Sequence, residues 1–265
     1  MRIVVPIKQV PETAAVKMDE ATGTMVREGV EAIINPLDLY GIEIAIRLRE
    51  AHGGEVIAIS MGPPKAMTAL KEAIAMGCDS AVLLSDKAFA GSDTWATSYV
   101  LAAACKRIGG YDLVICGERA TDGDTGQVGP GIAAFLGLPV ISYVSKVDAI
   151  EGGACRVHRM VEDGYEVLEM TLPGVLTVVK EVSDPRLPTL RGKLRAKQAA
   201  VPAWSAADLD VEVANLGLKG SPTRVVKIFH PSVARHCEKL PAGDAQAIEA
   251  AADKVVQFLR EKNLI

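Results

Sequence analysis

The sequence predicts an α/β protein built on a doubly wound, mostly parallel sheet with an antiparallel edge and a C-terminal arm. Three observations carry that prediction. A strand–helix unit repeats along the first third of the chain, residues 112–139 read as strand, glycine-rich polar loop and helix, and the texture changes to alternating β patterns after Pro139. Strands alternating with helices of ten or more residues imply parallel pairing, right-handed crossovers and helices on both faces.

Taken in order, Ile3 to Ile7 is an apolar strand, and Val16 to Met18 with Met25 to Val26 flank Thr22-Gly23 as a small hairpin excursion. Asn35 and Pro36 open a helix as cap and first residue. Leu39, Ile42 and Ile46 line one side of it, while Leu37, Ile44 and Leu48 form a second apolar row, so this helix should be deeply buried before Gly53-Gly54 ends it. The unit recurs as strand Glu55 to Ser60, turn Met61 to Pro64, helix Ala66 to Met76 and terminator Gly77. It recurs again as strand Ala81 to Leu84, cap Ser92 or Asp93, helix Thr94 to Arg107 and terminator Gly109-Gly110. Ligands of such sheets sit at the carboxyl ends of the strands, where the strand order reverses. That edge collects Pro6 to Lys8, Asn35 to Asp38, Met61-Gly62 and the loop from Asp122.

The next unit is the centre of the chain. Asp112 to Cys116 is a buried central strand, and Gly131 to Leu138 is an apolar helical stretch closed by Gly137 and Pro139. Between them lie Asp122, Gly123, Asp124, Thr125, Gly126, Gln127, Val128 and Gly129. Glycines let backbone N–H groups approach an anion, and a following helix adds free N–H groups and the positive end of its dipole, so a phosphate or pyrophosphate is the natural ligand. The two aspartates would repel it unless they cap the helix, order the loop or face a ribose hydroxyl. A plain helix-capping turn is the other reading. If the loop holds phosphate, Gly123→Val or Gly129→Val should abolish nucleotide retention while leaving the sheet folded.

After Pro139 come strand-like Val140 to Val147, then Arg156 to Val161 and Tyr165 to Met170 on either side of Asp163-Gly164, and the β-branched run Val175 to Val179. Residues 183–198 combine two prolines with Arg186, Arg191, Lys193, Arg195 and Lys197. That is a solvated basic loop by charge, or a docking surface by its Leu187, Leu190 and Leu194. From Val201 the chain holds Trp204, Ser205 capping a short helix, the stretch Gly217 to Thr223, and an amphipathic helix from about Asp244 to Glu261. Residues 201–240 have too little periodicity for a core of their own. The expected division is 1–200 for the α/β domain with the basic segment and 201–265 for an arm lying on a partner.

At 265 residues, 49% hydrophobic and a net charge of −4, the chain offers one main core and no basic field for nucleic acid. Its mean hydropathy of +0.21 argues against disorder. The N-terminus enters a strand directly, and no apolar run approaches a membrane span. The five cysteines lack metal-ligand spacing, and the four histidines form no ligand set; buried thiols of a reducing, cytoplasmic setting are the expectation, without a metal. No GxGxxG follows the first strand and no GxxxxGK[ST] occurs.

The stretch Val157 to Thr177, VHRMVEDGYEVLEMTLPGVLT, resembles the signature of the electron transfer flavoprotein β-subunit family through Arg159, Glu162, Asp163, Gly164, Glu166, Leu168, Pro173, Val175, Leu176 and Thr177. The resemblance continues through IKQVP, Asn35-Pro36, Met61-Gly62-Pro63 and SDPRLPTLRGKLRAK, covering nearly the whole chain. It implies an adenine-nucleotide α-hydrolase-like fold and a heterodimer whose α subunit carries an electron-transferring FAD. It implies adenosine near Pro6, Asn35, Pro36, Leu37, Asp38 and Met61, and phosphates on Asp122 through Gly129 with Gly131, Ile132 and Ala133. It also implies a partner-recognition segment carrying Leu187, Leu190, Arg191 and Lys193, with Leu190 similar to the leucine that anchors an acyl-CoA dehydrogenase. No residue of this chain is expected to be a catalytic acid or base.

One departure bears on function. Housekeeping members carry a loop resembling DDDxNQTGQM that holds structural AMP, whereas DGDTGQVGP is similar to flavin-bifurcating members, whose β subunit holds a second FAD. Gly123 and Thr125 would make room for the larger cofactor. GLKGSPTRVVK also resembles bifurcating relatives. Under that reading NADH is the donor, and ferredoxin or flavodoxin and an acyl-CoA dehydrogenase are the acceptors. The alternatives are the same fold holding AMP, or a free-standing adenine-nucleotide sensor.

Overall fold

The structure is a computed structural model and describes residues 1–12, 32–226 and 237–265. They form two compact units, Met1–Lys227 and Ile228–Ile265. The hairpin expected around Thr22-Gly23 lies outside the described residues, as do His230 and His236.

The first unit runs β1 (Arg2–Pro6), β2 (Gln9–Pro11), β3 (Ala32–Ile34), α1 (Pro36–His52), β4 (Glu55–Met61), α2 (Met67–Met76), β5 (Ser80–Leu84), α3 (Thr94–Ile108), β6 (Leu113–Gly117) and α4 (Val128–Leu136). It continues as β7 (Val140–Glu151), β8 (Ala154–Val161), β9 (Gly164–Thr171), β10 (Gly174–Val178), α5 (Leu190–Gln198), β11 (Ala203–Trp204) and α6 (Gly217–Gly220). The nine-stranded sheet has the order β11-β5-β4-β1-β6-β10-β7-β8-β9, and β2 pairs β3 separately. Pairing is parallel from β11 through to β7 and antiparallel in β7-β8-β9. The antiparallel edge expected after Pro139 is therefore present, with β10 threading back between β6 and β7.

Strand alternation divides the core as a doubly wound sheet requires. Ile3 and Val5 join Ile42, Ile46, Leu70, Ile74 and Ala196 on the face covered by α1, α2 and α5. Val4, Val114 and Cys116 join Val100, Leu101, Ile132 and Ala133 on the face covered by α3 and α4. β7 carries register shifts against β8, and Cys155, Val157 and Met170 of β8 and β9 also enter the first core. Residues 201–226 lie within this unit: β11 pairs β5, and Leu209 and Leu216 are buried in the second core. As expected, Ser205 begins a short 3-10 helix, with its N–H and hydroxyl both donating to Asp208. The second unit contributes α7 (Ala245–Glu261), capped by Asp244, whose carboxylate accepts the Ala247 N–H at 2.8 Å.

Candidate functional site

The strand order reverses at β1: the chain steps outward through β4 and β5, then returns by α3 to place β6 on the other side of β1. The crevice outside the carboxyl ends of β1 and β6 is the switch point where such sheets bind ligands. Three segments meet there, namely the turn after β1, the start of α1 and the loop after β6.

Asn35 joins them, in a way the sequence did not show. It stands at the N-cap of α1, but its side chain makes no cap bond. Fully buried, it instead reaches across the crevice: its amide donates to the Arg119 carbonyl at 2.9 Å, and its Oδ1 accepts the Thr121 N–H at 3.0 Å. Its own N–H donates to the Lys8 carbonyl at 2.8 Å. A side chain that satisfies both backbone groups of a turn fixes that turn's position, because leaving either unpaired in the interior is costly.

Asp38 does the same for the first turn. It is 6% exposed and accepts the Lys8 N–H at 2.7 Å. A Cβ on Gly117, at the end of β6, would stand 2.5 Å from Asp38 Oδ1 and 2.8 Å from the Leu37 carbonyl, so only glycine lets α1 approach the strand. Burial pushes the Asp38 carboxyl up to about 7, against the opposing pull of the Lys8 N–H, Asn35 and the Lys8 charge. A raised carboxyl disfavours the folded state as pH rises from the unfolded value of 3.8 to about 7, since the unfolded chain gives up its proton first. Asp38→Asn keeps the acceptor for Lys8, so thermal melts from pH 4 to 7 should show that decline removed, by up to roughly 4 kcal/mol.

The loop after β6 is exposed from Thr121 to Thr125. Asp124 (φ 52°) and Gly126 (φ 64°) adopt left-handed backbone, and the Ala120 carbonyl accepts the Asp124 N–H at 2.7 Å. A Cβ on Gly123 would meet nothing within 4 Å. The two aspartates have counter-charges: Lys8 Nζ holds both oxygens of Asp122 at 2.7 and 2.8 Å, and Arg119 Nε holds Asp124 at 2.9 Å and Glu118 at 3.2 Å. The sequence placed Lys8 at this edge without a role, and it did not single out Arg119. An acidic loop proposed to take an anion was the signal that cations had to be found nearby.

α4 begins at Val128, three residues earlier than the apolar stretch suggested, so Gly129 and Pro130 form its first turn. The N–H groups of the first turn have no intrahelical partner, and that turn directly follows the crevice loop. Gly129 is not a loop glycine, because its Cβ would lie 2.4 Å from Thr177 Cγ2 on β10. Gly131 similarly admits Ser98 of α3, at 2.4 Å from Oγ. The expectation that Gly129→Val would spare the sheet is therefore corrected. Pro6, Asn35, Pro36, Leu37, Asp38 and Asp122 through Val128 gather around the crevice. Met61 ends the neighbouring strand β4, while Ile132 and Ala133 point into the core.

Segment 183–198 is held down at three points. Arg186 forms ion pairs with Glu43 at 2.8 Å and Glu50 at 2.6 Å. Arg195 donates to the Ile74 and Cys78 carbonyls at 2.7 and 2.8 Å, satisfying the end of α2. Gly192 lies so close to α2 that a Cβ would stand 2.1 Å from the Ala75 carbonyl. Thr189 caps α5 by accepting the Gly192 N–H at 2.9 Å. What remains outside is apolar and basic: Leu187, Leu190 and Leu194 are 85, 79 and 55% exposed, and Arg191 and Lys193 are exposed between them.

Among the described residues no group of three or more His, Cys, Asp or Glu side chains converges as a metal site, and no helix is long and apolar enough to cross a membrane.

Fold and site together define a doubly wound α/β protein whose loops converge at the switch point of its sheet. Residues 22–209 match the electron transfer flavoprotein domain family. The chain is 47% identical over 265 residues to the electron transfer flavoprotein subunit beta of Clostridium acetobutylicum, covering all of both chains. It is 45% identical over 266 residues, again at full coverage of this chain and its relative, to the caffeyl-CoA reductase–Etf complex subunit CarD of Acetobacterium woodii. It is 46% identical over 239 residues to Protein FixA of Azorhizobium caulinodans, covering 88% of this chain and 85% of that one. The chain belongs to the electron transfer flavoprotein family as a β subunit, a subunit that works with an α partner.

Proposed function

We propose that this β subunit holds FAD in the switch-point crevice and takes electrons from NADH in a flavin-bifurcating complex. The observation that carries the reading is the loop Asp122–Gln127: it is exposed from Asp122 to Thr125, it is free of side-chain bulk at Gly123, and it leads directly into the N-terminus of α4. Such a backbone suits a pyrophosphate. The kinship with a subunit of a caffeyl-CoA reductase–Etf complex supports a CoA-thioester dehydrogenase as partner.

On this reading Asn35 and Asp38 keep the crevice in register, Pro6 and Met61 border the adenosine, and the N–H groups of Gln127, Val128 and Gly129 face the phosphates. Bound FAD would supply hydride acceptance from NADH and one-electron delivery, one branch to ferredoxin or flavodoxin and the other through the α-subunit FAD to an acyl-CoA dehydrogenase. The chain itself contributes position and charge, with no catalytic acid or base. Leu187, Leu190, Arg191 and Lys193 form the docking surface for the dehydrogenase, and the second unit, which carries α7, is the arm toward the α subunit. The complex works in the cytoplasm.

The test is the identity and count of nucleotides released from the denatured α/β heterodimer. Two FAD per heterodimer is the expected result. One FAD with one AMP would overturn the bifurcating reading and leave a β subunit whose nucleotide is structural.

A further inference from the structure

We infer that Lys8 is a positioning residue of the nucleotide site: by neutralising Asp122 it allows an acidic loop to accept a phosphate. The inference rests on the reading of the loop after β6 as a phosphate loop, and it accounts for carboxylates that would otherwise oppose that role.

Lys8 is placed for this by its own backbone. Its N–H donates to Asp38 at 2.7 Å and its carbonyl accepts the Asn35 N–H at 2.8 Å, so its side chain starts from a fixed point at the end of β1. From there the ammonium group spans the crevice and holds both oxygens of Asp122, at 2.7 and 2.8 Å. Among the described residues Lys8 makes no other ion pair, although its charge also acts on the buried Asp38 carboxyl. Arg119 treats Asp124 differently: it shares its charge with Glu118, and the Asp124 side chain is 70% exposed, where water already screens it. Asp122, with 28% of its side chain exposed, is the less solvated carboxylate, so water screens its charge less. With Lys8 itself half exposed, the pair adds little to folding, so its consequence lies in the local charge.

The experiment uses the α/β heterodimer washed free of nucleotide and titrated calorimetrically with adenosine, AMP and ADP. Lys8→Met should weaken ADP binding about tenfold, AMP binding less, and adenosine binding not at all, because the effect follows ligand charge. Asp122→Asn alone should tighten ADP binding several-fold and leave adenosine binding unmoved, because it removes the opposing charge and leaves Lys8 in place. The double variant Lys8→Met/Asp122→Asn should return to within about threefold of the parent, and Lys8→Arg should stay near it. Equal loss for adenosine would show a purely structural role and overturn the inference. So would a double variant as weak as Lys8→Met, which would make Lys8 a direct phosphate ligand, or no change in any variant. A parent heterodimer that binds no ADP would remove the phosphate-loop reading itself, and this inference with it.

Discussion

Gly129→Val should unfold or severely destabilise the protein, whereas Gly123→Val, six residues away, should leave folding intact and lower nucleotide retention. The difference follows from what each new side chain meets. At Gly129 the first added carbon already stands 2.4 Å from Thr177 Cγ2, with Cys116 Sγ at 3.6 Å behind it. Thr177 cannot yield, because its Oγ1 accepts the Tyr143 N–H at 3.2 Å and β10 is hydrogen-bonded on both sides. α4 must then lift off the sheet, at a cost on the order of 3 kcal/mol or more. A melting temperature roughly 6–12 °C lower is the corresponding shift for a domain of this size. Gly123 meets nothing within 4 Å, so valine there fits the fold and instead occupies space in front of the loop. Circular dichroism melts and nucleotide content, measured on both variants, separate the two effects. A Gly129→Val protein that melts like the parent would refute the close approach of α4 to β10.

Arg186→Met should release residues 183–190 from α1 while the sheet stays folded. Glu43 has only 2% of its side chain exposed and receives hydrogen bonds from both Arg186 and Arg47. Burial opposes its charge, yet Arg186 and then Arg47 outweigh that and hold the carboxyl below its usual value of 4.5. Removing Arg186 leaves that buried carboxylate with the half-exposed Arg47 alone, at a cost of about 2–3 kcal/mol, toward the low end for a buried pair because Arg186 is itself a third exposed. Hydrogen exchange should rise across residues 183–190 and spare β1, β4 and β6. Because the Glu43 carboxyl is depressed, its contribution is complete above pH 4.5 and is lost as pH falls through the lower folded value, so the parent should show the same loosening only in acid. If exchange in the segment is unchanged by the substitution, the ion pair does not hold it.

Much of the architecture was legible because it depends on patterns local in sequence. Apolar runs with terminating glycines located the strands and helices of the repeated unit to within a residue or two, since hydrophobic period and backbone stops act over short distances. The ligand-side edge followed from topology, because parallel strands force their connecting loops to one end. Two details escaped for the same physical reason. The start of α4 was misplaced because Gly129 and Pro130 read as loop residues, whereas in the fold glycine is demanded by Thr177, a neighbour 48 residues away. Asn35 reads as a helix cap from its position before Pro36, yet its side chain is taken by backbone groups 84 and 86 residues further on.

The sequence by itself determined the fold class, the family and the segments that border the crevice, because each is written in spacing and residue type. Only the tertiary structure decided which distant charges meet: Lys8 with Asp122, and Arg186 with Glu43 and Glu50. An ion pair depends on distance in space, and residues 114 or 143 positions apart come together only after the sheet has ordered its strands.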